Sequence, residues 1–432
     1  MKTWIELMEE WIRIPSVYDS KSSSRQAPFG HQVAKAMAWI AELAKKDGFT
    51  VEQTKTYTTI DYGQGDDYIG IFCHCDVVPA GPGWQLNPFH LTRRDGKFFG
   101  RGVVDDKGPA ICAYLAMKAI KETGIVPSKK IRLFIGGNEE SGFQCIRDYV
   151  KDQPQPLFGL VPDAKFPVLH GERGGGRVRF ECEVSSLMKA HAGDAVNMIP
   201  ASLAVSGKRL LEWQYKELEK LGITIQARDD GYDLLCVGGH ASKPHEADAL
   251  IENWLGVLVE DWSRELLDVI RYKESWASRM SRDGKCGSLQ ITPTILKMEG
   301  QRLQLSCDIR YPETVSIDML KVAFEQYRKE KKLQISANFT EIKKARYVEP
   351  DHFMVVQLMN LYHEMGGDPS EPCRLTSAGT YMSELENTVI FGMESAHGGS
   401  GNIHGANEFI SEEQVQFGME IYQRALLEML SW

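Results

Sequence analysis

No apolar run in the sequence approaches the roughly 18 uninterrupted residues of a membrane span. A basic-then-apolar leader is also missing, since Glu6, Glu9 and Glu10 occupy the start of the chain. Both absences lead us to expect a cytoplasmic protein with no membrane partner. Positive charge is in deficit: 50 Lys+Arg stand against 59 Asp+Glu, a net charge of -9, which argues against nucleic acid as a partner and leaves room for cations. Nine cysteines are scattered from Cys73 to Cys373 without a CxxC pair, which excludes a zinc ribbon and leaves no sign of a disulfide framework. Cys73 and Cys75 flank His74, but in an extended strand they point away from the face that the histidine occupies. A dinucleotide fingerprint is absent as well, because Gly63-Gln64-Gly65 is followed by Asp66, Asp67 and Tyr68 without the last glycine.

What is present is ordinary globular composition, 432 residues with 43% hydrophobic and 25% charged, enough for two or three domains at roughly 150 residues each. Thr3 and Glu6 form a capping-box pattern ahead of Trp4, Ile5, Met8, Trp11 and Ile12, and Pro15 stops the helix they predict. From about Asp67 apolar strands alternate with helices: Tyr68 to Cys73, a helix from Lys107 to Lys121, Ile131 to Ile135, a short helix around Phe143 to Val150, then Leu157 to Val161. This order predicts an α/β fold with a mixed, largely parallel sheet flanked by helices. After Gly171 the texture changes. Gly174, Gly175 and Gly176 lead into the alternating stretch Arg177 to Val184, an antiparallel edge or half-exposed strand, and strands at Leu234 to Val237, Gln290 to Thr294 and Leu303 to Arg310 mix with helices at Asp248 to Leu267 and Ser316 to Lys331. With no low-complexity linker or internal repeat, this middle part reads as an inserted α+β lid domain, 173–345, within a discontinuous domain of 1–172 and 346–432. Helices from Pro350 to Gly366 and from Glu412 to Leu430 close the chain.

Acidic and imidazole side chains recur at the predicted strand ends. His74 and Asp76 are two apart, so extended backbone places both on one side. Asp105 follows 31 positions on (105 minus 74), Glu140 another 35 (140 minus 105) and Asp163 another 23 (163 minus 140). Each step is about one strand–helix unit, and the carboxyl edge of a parallel sheet is where such folds bind ligands. Gathering several acids with one imidazole is prohibitive unless cations compensate them, so the pattern points to a metal centre. Hard carboxylates beside a histidine suit Zn²⁺, Mn²⁺ or Co²⁺, and one bridging carboxylate would hold two ions.

His74-Cys75-Asp76-Val77-Val78-Pro79, Gly100-Arg101-Gly102 through Asp105-Asp106-Lys107-Gly108-Pro109, Asn138-Glu139-Glu140-Ser141-Gly142, Pro162-Asp163-Ala164 and His404-Gly405-Ala406-Asn407-Glu408 occur in that order. The set resembles that of the di-zinc aminoacylase/carboxypeptidase-type metallopeptidases, most nearly their bacterial dipeptidase branch, the carnosinase-like or Xaa-His dipeptidases. The resemblance implies two divalent ions per chain, zinc foremost and manganese or cobalt as alternatives. By it His74 and Asp163 would bind one ion, Glu140 and His404 the other, and Asp105 both. Asp76 would accept a hydrogen bond from the distal nitrogen of His74, and Glu139 would be the general base that takes a proton from the attacking water and gives it to the leaving amine.

In the middle domain the same resemblance gives Asn197 and Arg310 the substrate's terminal carboxylate and gives His240 the tetrahedral oxyanion. Taken without it, these are a turn residue, a strand arginine and a loop histidine. Gly379 and Thr380 resemble a substrate-contacting loop, although Ala378 before them and Met382-Ser383 after Tyr381 depart from the usual Gly-Gly-Thr-Tyr-Ala-Arg form. His397, near His404, is either an alternative ligand or a loop histidine. The implied activity is hydrolysis of an unblocked dipeptide. The alternatives are deacylation of N-acyl amino acids at the same metals, and a non-catalytic metal- or peptide-binding homologue. The enlarged middle domain resembles that of monomeric relatives, so a monomer is expected.

Overall fold

Tyr68–His74 is buried along its whole length, the condition of a strand covered on both faces, and its near-continuous apolar run reflects that. In a computed structural model, which describes residues 3–184, 186, 188–241, 249–376, 378–394 and 400–432, this strand lies between Lys130–Gly136 and Phe158–Val161 and runs parallel to both. Thr388–Ile390 adds a fourth parallel strand beside Phe158–Val161. Antiparallel pairing is confined to the flanks, where Tyr57–Tyr62 joins Lys130–Gly136 and Thr50–Gln53 joins Tyr57–Tyr62 on one side, and Leu169–Glu172 joins Thr388–Ile390 on the other. Parallel strands align their carboxyl ends, so the residues after His74, Gly136, Val161 and Ile390 all emerge at one edge.

The chain divides into two compact units, 1–172 with 347–432, and 173–346. The second boundary falls one residue beyond the anticipated 345. In the first unit the helices Trp4–Ile12, His31–Lys46, Lys107–Glu122, Gln144–Asp152, Phe353–Glu364 and Glu412–Ser431 accompany the sheet. The capping box forms as the spacing predicts: Glu6 N donates to Thr3 Oγ1 at 3.3 Å and Thr3 N to Glu6 Oε2 at 2.7 Å. Trp4, Leu7, Met8, Trp11 and Ile12 then join the core, and Trp11 stacks on Trp39 with ring centroids 5.4 Å apart. Gly136 ends its strand without a side chain for a steric reason, because a Cβ there would meet Tyr381 Oη at 2.0 Å.

The second unit is built on an antiparallel sheet in the order Thr224–Arg228, Gly231–Leu235, Ser202–Ser206, Lys189–Ala192, Gln290–Glu299, Arg302–Tyr311, Gly174–Glu183, Ser336–Lys343. Gly174–Glu183 is paired on both sides and is therefore no edge strand, yet its burial alternates along Arg177 to Glu181, as a sheet with one wet face requires. The helix anticipated from Asp248 to Leu267 is two helices, Leu250–Val257 and Asp261–Ile270; Asp248 itself lies outside the described residues. Val257 and Val259 are β-branched and Gly256 lowers helix propensity, while Ser263 Oγ donates to the carbonyls of Leu258 and Glu260 that the break leaves open. Trp254, Trp276, Phe180 and Phe324 belong to a core separate from that of the first unit. Among the described residues no helix is long and apolar enough to cross a membrane.

Candidate metal centre

His74 ends its strand with the ring in the core, fully buried, and Nε2 stands 3.0 Å from Asp105 Oδ1 and 3.7 Å from Asp163 Oδ2. Asp105 precedes the helix Lys107–Glu122, and Asp163 lies two residues beyond the strand Phe158–Val161. His404 Nε2 approaches the other oxygen of Asp105, Oδ2, at 2.9 Å and Glu140 Oε2 at 3.1 Å. Asp105 thus turns one carboxylate oxygen to each histidine. Ligand atoms of His74, Asp105 and Glu140 lie within 4.8 Å of one another, as do those of His74, Glu139 and Asp163. Two donors on one tetrahedral ion, each about 2 Å from it, stand roughly 3.3 Å apart, so these spacings suit shared divalent cations.

The electrostatics lead to the same place. Burial pushes Glu139 and Asp163 well above the ordinary carboxylate range, with neighbouring acids adding to it: Asp163 acts on Glu139, and Asp105 on Asp163. Burial also raises Glu140, with Asp105 next in importance. Bonds to Asp105 and Glu140 lift His404 to about 10, and His74 is raised because Asp105 and Asp76 outweigh its burial. The acids that burial raises need positive charge close by, such as Asp105, lowered despite its burial, finds in His404 and His74, and divalent ions supply it. The five side chains His74, Asp105, Glu140, Asp163 and His404 fit that role. Cys73 and Cys75 belong to neither group of converging donor atoms, and burial raises both thiols.

Asp76 differs from the anticipated arrangement. The closest contact of His74 Nδ1 is the main-chain oxygen of Asp76 at 2.9 Å, while the nearer carboxylate oxygen is 3.5 Å away. That carboxylate instead accepts the backbone N–H groups of Glu139 at 3.0 Å and Glu140 at 3.1 Å. A carboxylate is a strong acceptor, and the two adjacent amides that follow the strand Lys130–Gly136 are the donors it takes. Asp76 thereby orients His74 with its backbone and the Glu139-Glu140 turn with its side chain. Glu139 is 8% exposed, and among the described residues its buried Oε1 has no hydrogen-bond partner.

The substrate loop is also corrected. Thr380 is 1% exposed, and both its N–H and its hydroxyl donate to Glu172 Oε2, at 3.0 and 3.3 Å. Its side chain braces the loop from beneath, since a buried carboxylate must be satisfied. Gly379 and Ala378 remain in the wall of a cavity of about 390 Å³ that Asp105, Glu139, Glu140, Asp163 and His404 also line. In the second unit, Arg310 Nε pairs with Asp308 Oδ2 at 2.8 Å, and Asn197 is exposed with its carbonyl accepting Ala241 N–H at 2.9 Å. His240 pairs with Met198 through the backbone, and its side chain lies outside the described residues, as does His397.

Three contributors went unassigned in the sequence although all of them sit inside the quoted motifs. Glu408 is fully buried, pairs with Arg101 Nη1 at 2.6 Å and accepts the N–H groups of Gly102, Val104 and Asp105. Arg101 also donates to Gly405 O at 2.9 Å, so this one pair ties the Asp105 loop to the His404 loop. Asp106, which burial raises to about 8, accepts the N–H of His74 at 3.1 Å. Burial of charged residues was the missing signal, and spacing does not report it.

Two histidines and four acids thus gather at the carboxyl edge of the sheet's parallel strands. The chain is 28% identical over 452 aligned residues to the Beta-Ala-Xaa dipeptidase of Lactobacillus delbrueckii subsp. lactis, covering 98% of this chain and 95% of that one. Among solved structures it resembles an M20 family metallo-carboxypeptidase of Sulfolobus solfataricus, with TM-score 0.63, 13% identity and full coverage of both chains. It also resembles a dinuclear metal-binding peptidase of the M20 family from Bacillus subtilis, with TM-score 0.53, 10% identity and 98% of each chain covered. The sequence profile described as Peptidase family M20/M25/M40 matches residues 70–428, which include every residue of the metal centre. On that match, the chain belongs to peptidase family M20/M25/M40.

Proposed function

We propose that this peptidase is a dipeptidase acting on unblocked dipeptides, with two divalent ions held by His74, Asp105, Glu140, Asp163 and His404. The observation that carries the two-ion reading is the division of Asp105, one oxygen toward each histidine. Zinc suits a set of two imidazoles and three carboxylates best, and manganese or cobalt would also be accepted. When bound, such ions polarise the scissile carbonyl and lower the pKa of an attacking water. The protein's part follows from its own geometry. Asp76 fixes the Glu139 amide, so the Glu139 carboxylate is presented beside the ligands with Oε1 unengaged. Glu139 takes a proton from the water and delivers it to the nitrogen of the leaving amino acid. Gly379 contributes a side-chain-free wall where the peptide backbone can approach.

Dipeptide hydrolysis, as distinct from deacylation, is supported by the match to the Beta-Ala-Xaa dipeptidase over 95% of that protein's length. The test is release of free amino acids from a panel of dipeptides beside acetylated and succinylated amino acids. Turnover of dipeptides is expected; turnover confined to the acylated set would overturn the reading.

A further inference from the structure

Glu394 stands four residues beyond the parallel strand Thr388–Ile390, at the same edge as the metal ligands. Its position is held by backbone: its N–H donates to Ala164 O at 2.8 Å, and it forms a parallel bridge with Lys165, so it is tied to the segment that carries Asp163. The residue is only partly exposed and lines the cavity with Asp105, Glu139, Glu140, Asp163 and His404. Yet it belongs to neither group of side chains whose donor atoms converge for an ion. Among the described residues no group hydrogen-bonds or ion-pairs with its carboxylate. Of the positive groups that act on it through space, Lys165, the stronger, is exposed, and neither Lys165 nor His404 forms an ion pair with it. Burial raises its pKa, as expected of an acid in a recess without a committed partner.

A half-buried carboxylate that hydrogen-bonds to no described group and is not among the five ligands is satisfied best by a cationic group that arrives with the ligand. Much of the remaining wall is apolar, from Phe166, Leu169, Leu375 and Ile403, and the wall's arginine, Arg374, pairs with Glu371 at 2.8 Å. On the dipeptidase reading, the one cationic group that every substrate brings is its free α-ammonium. We infer that Glu394 is a specificity-determining residue that receives the substrate's ammonium group and thereby selects unblocked peptides over N-acylated ones. The contact is a charge-assisted hydrogen bond across a partly dry cavity, formed in the bound substrate before the reaction begins.

The experiment compares wild type, Glu394→Gln and Glu394→Asp with Ala-Ala as substrate and its des-amino analogue, propionyl-alanine, as competitor, with metal content measured on each. Glu394→Gln is expected to raise KM for Ala-Ala by at least tenfold and up to about a hundredfold, with kcat changed less, as loss of a hydrogen bond to a charged group implies. Inhibition by propionyl-alanine should stay within about threefold of wild type, since it has no ammonium to lose. Glu394→Asp should recover part of the affinity for Ala-Ala. Loss of both ligands together, loss of metal in Glu394→Gln, or no change in KM for Ala-Ala would each overturn the assignment. Wild type that hydrolyses no dipeptide would overturn the dipeptidase reading and this inference with it, whereas an active wild type with an indifferent Glu394→Gln would overturn the inference alone.

Discussion

Glu139→Gln should lower kcat on a dipeptide by about 10³-fold while the protein keeps its metals and its fold, because general acid–base catalysis by a positioned side chain contributes about 10²–10⁴. The substitution is nearly isosteric, so the backbone N–H at this position would still reach Asp76 Oδ1, the contact that sets the turn. What disappears is the proton acceptor. Because the burial of Glu139 is already a cost, and Oε1 has no hydrogen bond to lose among the described residues, stability should be unchanged or slightly higher. The checking measurements are kcat by amino-acid release and metal content by elemental analysis on the same sample. Retained turnover would remove Glu139 from the proton transfers. Low turnover with metal loss would place Glu139 among the ligands, a position compatible with its closeness to His74 and Asp163.

The second large effect concerns Glu408, which touches no substrate. Glu408→Gln leaves the Arg101 guanidinium, 1% exposed, without its ion-pair partner, and breaking a buried pair from one side costs about 3–5 kcal/mol. Because Oε1 gathers the N–H groups of Gly102, Val104 and Asp105 while Oε2 pairs with Arg101, a glutamine can satisfy only one of the two sets, so the Asp105 loop is held less firmly as well. Thermal stability should fall, and metal affinity should drop about 10–100-fold, as removal of a group that orients ligands does elsewhere. The double variant Arg101→Met with Glu408→Met separates the two consequences. It should regain much of the stability, because no buried charge is left unpaired, and still bind metal poorly, because the amides remain unheld. A Glu408→Gln protein that melts with wild type and binds metal equally well would show that the pair positions nothing.

How much of this could be read from the chain alone depended on whether the feature is periodic or tertiary. Strand ends, helix spans and the acid–imidazole spacing follow from local hydrophobic pattern, and so His74, Asp105, Glu140 and Asp163 were already in line along one sheet edge. His404 was found only through its motif, since it lies on a loop with φ +61° that no periodicity marks. Choices of hydrogen-bond partner were not legible. Asp76 prefers two amides 63 and 64 positions away to the neighbouring imidazole, and Thr380 spends its hydroxyl on Glu172, 208 positions away. The Arg101–Glu408 pair spans 307 positions, and nothing in either local segment says that both are dry. The helix interrupted between Val257 and Asp261 was hidden for a different reason: its apolar pattern runs on through the break, which Gly256, the two valines and the turn bonds around Glu260 make together.

The central claim is that five side chains make a two-ion site on which all activity depends. It is tested most directly by stripping the protein with a chelator, returning Zn²⁺ in measured amounts and following dipeptide hydrolysis at each addition. The stripped protein should show no turnover, and activity should rise until it levels off only at about two equivalents per chain, as a cocatalytic pair requires. Full activity without metal, or a plateau at one equivalent that a second ion does not raise, would contradict it.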